Sequence, residues 1–126
     1  MSRSHATLRR QDGAVVCERC VVADSAWART KGLLGRRDLP TDEGLLIKPC
    51  SSIHMFFMRF PIDAVFVDKE MRVVRVVSDL KPWRIAWSRG SKAVIEMAAG
   101  EAARRGLQVG DSLALEEEQH DERAES

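Results

Sequence analysis

Between a polar stretch at residues 1–13 and an acidic one at 116–126, the chain consists mostly of short β-branched apolar runs broken by turn residues. That pattern predicts strands rather than long helices. Strands are expected near 14–23, 44–48, 53–58, 63–67, 72–78, 92–98 and 112–116. Arg59-Phe60-Pro61-Ile62 suits a turn between the third and fourth, because Pro61 fixes its own φ and offers no ladder donor; Asp68-Lys69-Glu70-Met71 suits the next. The result is a meander of antiparallel hairpins. Two short helices are expected to interrupt it. One is capped by Asp24 or Ser25, runs through Trp27 to Lys31 and stops at Gly32; the other is Glu101-Ala102-Ala103-Arg104-Arg105, ended by Gly106 and with its charges in dipole order. Phe56, Phe57, Met58, Val65, Phe66, Val74, Val76, Ile95 and Leu113 are the expected core. The fold class is mainly β, a small barrel-like antiparallel sheet with two short helices.

A length of 126 residues with 44% hydrophobic positions predicts one domain with a single compact core. Its expected limits are residues 14–115, with a flexible arm at 1–13 and a disordered acidic tail at 116–126. The formal charge of +1 conceals a split. Residues 1–115 hold 19 Lys/Arg against 13 Asp/Glu, and the tail holds one Arg against six acids, so the body is +6 and the tail −5. No stretch approaches the roughly 20 apolar residues of a membrane-spanning helix, and no apolar segment follows the N-terminal charges, so no membrane association and a cytoplasmic location are expected. Three cysteines are too few for a disulfide framework and fit a reducing compartment.

The stretch from Cys50 to Asp68 carries the most chemistry, because His54 and Asp63 are ionisable groups inside apolar runs. Burying such a group without partners costs roughly 2–7 kcal/mol, so each is either held by structural hydrogen bonds or marks a site. Cys50, Ser52 and His54 share one strand face and line a pocket together, but four extended residues span about 13 Å, too far for a Cys50–His54 dyad. Asp63 begins the strand after the Arg59 turn, with Met58 as its expected cross-strand partner and Arg59 as its alternative ion-pair partner. Glu96 and Arg75 each interrupt an apolar strand; they meet as a buried pair or form a polar pocket with Asp63. Cys17-Glu18-Arg19-Cys20 has the spacing of half a zinc site, but a regular strand sends the two thiols to opposite faces, so no metal is expected. In Gly106-Leu107-Gln108-Val109-Gly110-Asp111-Ser112-Leu113, Gly110 takes positive φ and Asp111 caps neighbouring amides as a structural turn, while Leu107, Val109 and Leu113 enter the core. The loop from Leu80 to Lys92 interleaves four cations with Trp83 and Trp87. Its tryptophans are expected to fold over the barrel mouth as a lid, since two indoles left in water form an unusual patch.

Lys31-Gly32-Leu33-Leu34-Gly35-Arg36, Glu43-Gly44-Leu45-Leu46-Ile47, the Cys50–Asp68 stretch, Val94-Ile95-Glu96-Met97-Ala98-Ala99-Gly100 and Gly110-Asp111 occur in this order. Together they resemble the bacterial and archaeal family called domain of unknown function 192, over about residues 14–115. The resemblance implies a small barrel-like β protein with no established activity. Many relatives carry a signal segment and a Trp-Met-Lys-Asn-Thr strand, whereas this chain reads Phe57-Met58-Arg59-Phe60-Pro61 and is similar to the subgroup with an Ile-His element.

Three functional readings follow. The first is a domain that binds a small molecule or peptide, without catalysis or cofactor, between the His54/Asp63 hairpin and the Trp83–Trp87 loop; its candidate ligand-binding residues are Cys50, Ser52, His54, Arg59, Asp63, Arg75, Trp83, Trp87 and Glu96. The alternative is a nucleic-acid accessory protein using the basic body and the two tryptophans. The third is a hydrolase using His54 with Asp63 or Glu96, for which no complete catalytic set is present.

Overall fold

The computed structural model describes residues 5–23, 36–55 and 58–117, with backbone only for His5, His54 and Glu117. Its strands are β1 (His5–Arg10), β2 (Val15–Ala23), β3 (Glu43–Ile47), β4 (Ser52–His54), β5 (Ile62–Val67), β6 (Val73–Leu80), β7 (Ile85–Trp87), β8 (Ala93–Ala98) and β9 (Leu113–Glu117), with one short helix, α1 (Glu101–Arg104), among the described residues. The fold is mainly β. The expected helix at 24–31 and the core positions Phe56 and Phe57 lie outside the described residues, as does the tail beyond Glu117.

Seven strands form one sheet in the order β6-β5-β8-β3-β2-β1-β9, and β4 and β7 form a separate two-stranded ribbon. This is not the simple meander expected. β2 and β3 run parallel, with Cys20 opposite Gly44, and β8 inserts between β5 and β3. Residues 5–10, expected to be a flexible arm, are strand β1, held between β2 and β9 by Leu8, which is fully buried. Their polar composition suggested an arm, but two flanking strands satisfy their backbone groups on both sides.

The sheet curls until its two edges touch at one point. Arg72 and Ser112 form a bridge, the Val73 amide donates to the Asp111 carbonyl at 2.8 Å, and the Leu113 amide donates to the Met71 carbonyl at 2.9 Å. The result is a half-closed barrel. Its inside is filled from all seven strands, by Leu8, Val16, Cys17, Cys20, Leu46, Val65, Val67, Val73, Ile95, Met97 and Leu113, together with Ala102 and Leu107. A second apolar layer, containing Leu45, Ile47, Ile53, Met55, Phe60, Ile62, Phe66, Ala86 and Val94, lies between the outer face of β3, β8 and β5 and the β4–β7 ribbon. β5 and β8 are therefore buried on both faces, which explains why their sequences are apolar without alternation. Val74 and Val76, expected in the core, are only partly buried because β6 is an edge strand, and Val109 is exposed at the tip of its turn.

A bulge overturns the expected separation of Cys17 and Cys20. Ala6 pairs with Cys20 and Leu8 with Cys17, so three steps along β2 match two along β1. The extra residue rotates the strand and puts both thiols on the inside of the barrel. The adjacent Cys17 sulfur and burial push the Cys20 thiol well above the ordinary cysteine range. Cys17 in turn rests on Gly44, where an added Cβ would lie 2.8 Å from its Sγ. None of the three cysteines forms a disulfide.

Candidate functional site

The strand expected over 53–58 is shorter, Ser52–His54, and does not pair with β5. It pairs with β7 instead: Ser52 faces Trp87, Ile53 faces Ala86 and His54 faces Ile85. The ribbon is pinned at both ends. The Met55 amide donates to the Arg84 carbonyl at 2.8 Å and the Trp83 amide to the Met55 carbonyl at 2.7 Å; at the other end the Ser88 amide donates to the Ser51 carbonyl at 3.0 Å. Ile53 and Ala86 point into the outer apolar layer, while Ser52, Ile85 and Trp87 face solvent. The Arg75 guanidinium, projecting from β6, donates to the Trp87 carbonyl and ties the ribbon to the sheet.

The tryptophans are not a closed lid. Trp83, Ile85 and Trp87 are 58%, 54% and 59% exposed, and Trp83 holds φ of 71°, an unusual conformation for a bulky residue. Beside them lies a groove of about 500 Å³, walled by Val77, Ser78 and Leu80 of β6 and by Trp83, Arg84 and Ile85. Asp79 and Lys81 also line it and pair with each other at 2.5 Å.

Asp63 lies elsewhere. It is fully buried, and Met97 of β8 is its neighbour in the ladder rather than Met58. Its Oδ1 accepts the Asp79 amide at 2.9 Å, and its Oδ2 accepts the amides of Gly100 at 3.0 Å and Ala102 at 2.9 Å. Arg59 is exposed in the preceding bend. The Asp63 carboxylate thus joins the end of β6 to the start of α1. Glu96 is also fully buried, but it is opposite Leu45 and Ala64, whereas Asp63 is opposite Met97; alternation along β8 puts the two acids on opposite faces of the sheet. Arg75, expected to meet Glu96, reaches the Trp87 carbonyl instead.

Cys50 precedes the ribbon, half-buried, with its Sγ donating to the Ser52 carbonyl at 3.1 Å. In the last turn Gly110 has φ of 100°, and Asp111 accepts the Gln108 amide at 2.8 Å through Oδ2 and the Gln11 side-chain amide at 3.2 Å through Oδ1. Of the sequence candidates, the structure brings together Ser52, the His54 backbone, Arg75, Trp83 and Trp87; it sets Asp63, Arg59, Gly110 and Asp111 apart. Ile85, Arg84 and the Val77–Leu80 edge were missed. Alternation in Ile85-Ala86-Trp87 was the available signal for a third ribbon-face residue.

No group of three or more His, Cys, Asp or Glu side chains among the described residues is arranged to hold a metal, and no described helix is long and apolar enough to cross a membrane.

Fold and surface together define a small half-closed β-barrel domain carrying an accessory ribbon. The chain belongs to the family DUF192, described as "Uncharacterized ACR", whose profile matches residues 7–115. It is 32% identical over 124 residues to a UPF0127 protein of Thermococcus sibiricus, an alignment covering 89% of this chain and 75% of that one. A crystal structure of a protein of unknown function from Novosphingobium aromaticivorans is similar with a TM-score of 0.73 and 27% identity, over 87% of this chain and 83% of that one. A Sinorhizobium meliloti protein shares the fold with a TM-score of 0.77 at 23% identity, over 90% and 94% of the two chains.

Proposed function

We propose that this domain is a binding module that takes a small molecule or short peptide bearing an apolar or aromatic group in the groove beside Trp83, with Ile85 and Trp87 extending the contact surface. The observation that carries this reading is the exposure of three large apolar side chains on the pinned ribbon and the turn that leads into it, next to a groove of about 500 Å³. Such a cluster costs solubility unless something covers it. Covering roughly 100 Å² of one indole stabilises a complex by about 2.5 kcal/mol at about 25 cal/mol per Å². The edge of β6 along Val77–Leu80 adds backbone groups to which an extended peptide can pair. Ser52 and Arg75 complete the candidate surface; Asp63, saturated by amides, is left out of it.

The test uses indole and acetyl-Leu-Phe-Val-amide as neutral probes in amide chemical-shift titrations. Saturable shifts should centre on Val77–Ile85 and weaken in Trp83→Ala by at least tenfold and by up to roughly 70-fold, a change of about 1.4–2.5 kcal/mol. Shifts that do not saturate, or that survive both Trp83→Ala and Trp87→Ala, would refute it.

A second reading, single-stranded nucleic acid, is favoured by the same tryptophans lying among Arg75, Lys81, Arg84 and Arg89. It requires retention on single-stranded DNA that falls steeply with salt.

A further inference from the structure

A second concavity, of about 560 Å³, opens at the end of the barrel where β3 and β5 finish and β8 begins. Its lining is Lys48, Pro49, Asp68, Lys69, Met71, Lys92 and Ala93. Lys48, Lys69 and Lys92 come from three separate segments, and none has an ion-pair partner among the described residues.

These segments are stitched together by backbone hydrogen bonds. The Cys50 amide donates to the Lys92 carbonyl at 2.9 Å, and the Lys92 amide donates to the Val67 carbonyl at 2.8 Å, so the bases of the three lysines cannot separate freely. The one acid of the lining is already engaged. Asp68 Oδ1 accepts the amides of Arg72 and Glu70, each at 2.9 Å, and these bonds hold its carboxyl below the ordinary range. The lining therefore holds three lysines against one carboxylate that is committed to its own turn. Met71, Ala93 and Pro49 supply an apolar surface between them, and the lysine stems extend it.

We propose that this groove is a second binding site, for a small organic anion: a phosphate or carboxylate head held by the three lysines, on an apolar body resting against Met71, Ala93 and Pro49. Three flexible point charges suit a compact anion, whereas arginine forks would suit planar bidentate pairing. A pre-assembled rim reduces the ordering cost of binding. The site is independent of the Trp83 groove and shares no lining residue with it.

The experiment titrates phenyl phosphate into isotopically labelled protein, with inorganic phosphate and phenol run separately. Phenyl phosphate should give saturable amide shifts at Lys48, Lys69, Met71, Lys92 and Ala93, scored separately from any shifts its ring produces at Val77–Ile85 in the Trp83 groove. The triple variant Lys48→Gln/Lys69→Gln/Lys92→Gln should bind about tenfold or more weakly, about 1.4 kcal/mol. All three lysines are exposed, so its melting temperature should match the parent, and each single variant provides a folded check. Absence of saturable shifts in the groove, or equal binding by the triple variant, overturns the site. Phosphate binding as tightly as phenyl phosphate overturns the apolar contact, and phenol doing so overturns the role of the charge.

Discussion

Replacing Asp63 tests whether it holds the fold or a ligand. In Asp63→Asn the side-chain carbonyl can keep the Gly100 and Ala102 amides, but the new amide group then faces the Asp79 N–H, donor against donor. Leaving that part-buried donor unsatisfied costs about 1 kcal/mol, since water can reach it. Asp63→Ala loses all three bonds. The Ala102 amide, whose bond is buried, bears the full penalty of about 1–3 kcal/mol, while water can reach the part-buried Asp79 and Gly100 amides, limiting each to about 1 kcal/mol. The total, about 3–5 kcal/mol, is a large share of the 5–15 kcal/mol that typically holds such a domain together. Urea unfolding followed by circular dichroism measures both losses. Amide hydrogen exchange should accelerate first at Asp79, Gly100 and Ala102, since the carboxylate anchors those positions directly. An Asp63→Asn protein within about 0.5 kcal/mol of the parent, the range of a neutral surface change, would refute the anchoring role.

Glu101 is buried, with its carboxylate taking Arg104 at 2.6 Å and Arg105 at 3.0 Å; the Arg104 hydrogen bond foremost holds its pKa below the ordinary 4.5. A depressed folded value means that its stabilisation is present at neutral pH and is lost as pH falls below 4.5, so Glu101→Gln should flatten the acid limb of a stability-against-pH curve. Gly44→Ala should destabilise by about 1–3 kcal/mol, because its Cβ meets Cys17 Sγ and the Glu96 carbonyl, and Cys17→Ala in the same chain should restore part of the loss in denaturant melts. A thiol reagent should modify half-buried Cys50 quickly in the native protein, and Cys17 and Cys20 only on unfolding; three equal rates would contradict the buried pair.

Strand positions were legible where short apolar runs alternate with turns, and β5 and β8 stood out because both faces are covered. The pairing of those strands was not legible. Nothing local in Ser52-Ile53-His54 distinguishes a partner in β5 from one in β7, and only the tertiary fold supplies the Ser52–Trp87 register. Asp63 was recognisable as a residue needing partners, yet its donors are 16, 37 and 39 residues away and are backbone amides that any sequence provides. The two cysteines show the limit most directly: alternation separates positions three apart, and one inserted residue at Glu18–Arg19 reunites them. Exposure of the tryptophans ran against the hydrophobic expectation, because the β4–β7 pairing commits Ile53 and Ala86 to the apolar layer and turns Trp87 to the other side.

The pairing of β1 with β9 joins positions about a hundred residues apart, as in the Arg9–Glu116 ion pair at 2.8 Å. A growing chain cannot complete this sheet in the order of synthesis. β1 can pair with β2 early, but its second edge stays open until Leu113–Glu117 has been made, and the Arg72–Ser112 contact that closes the barrel depends on the same segment. The cost of closing so long a loop falls on β9, the last of the described strands to emerge. Until then the open edge of β1 is where a second nascent copy could pair in place of β9.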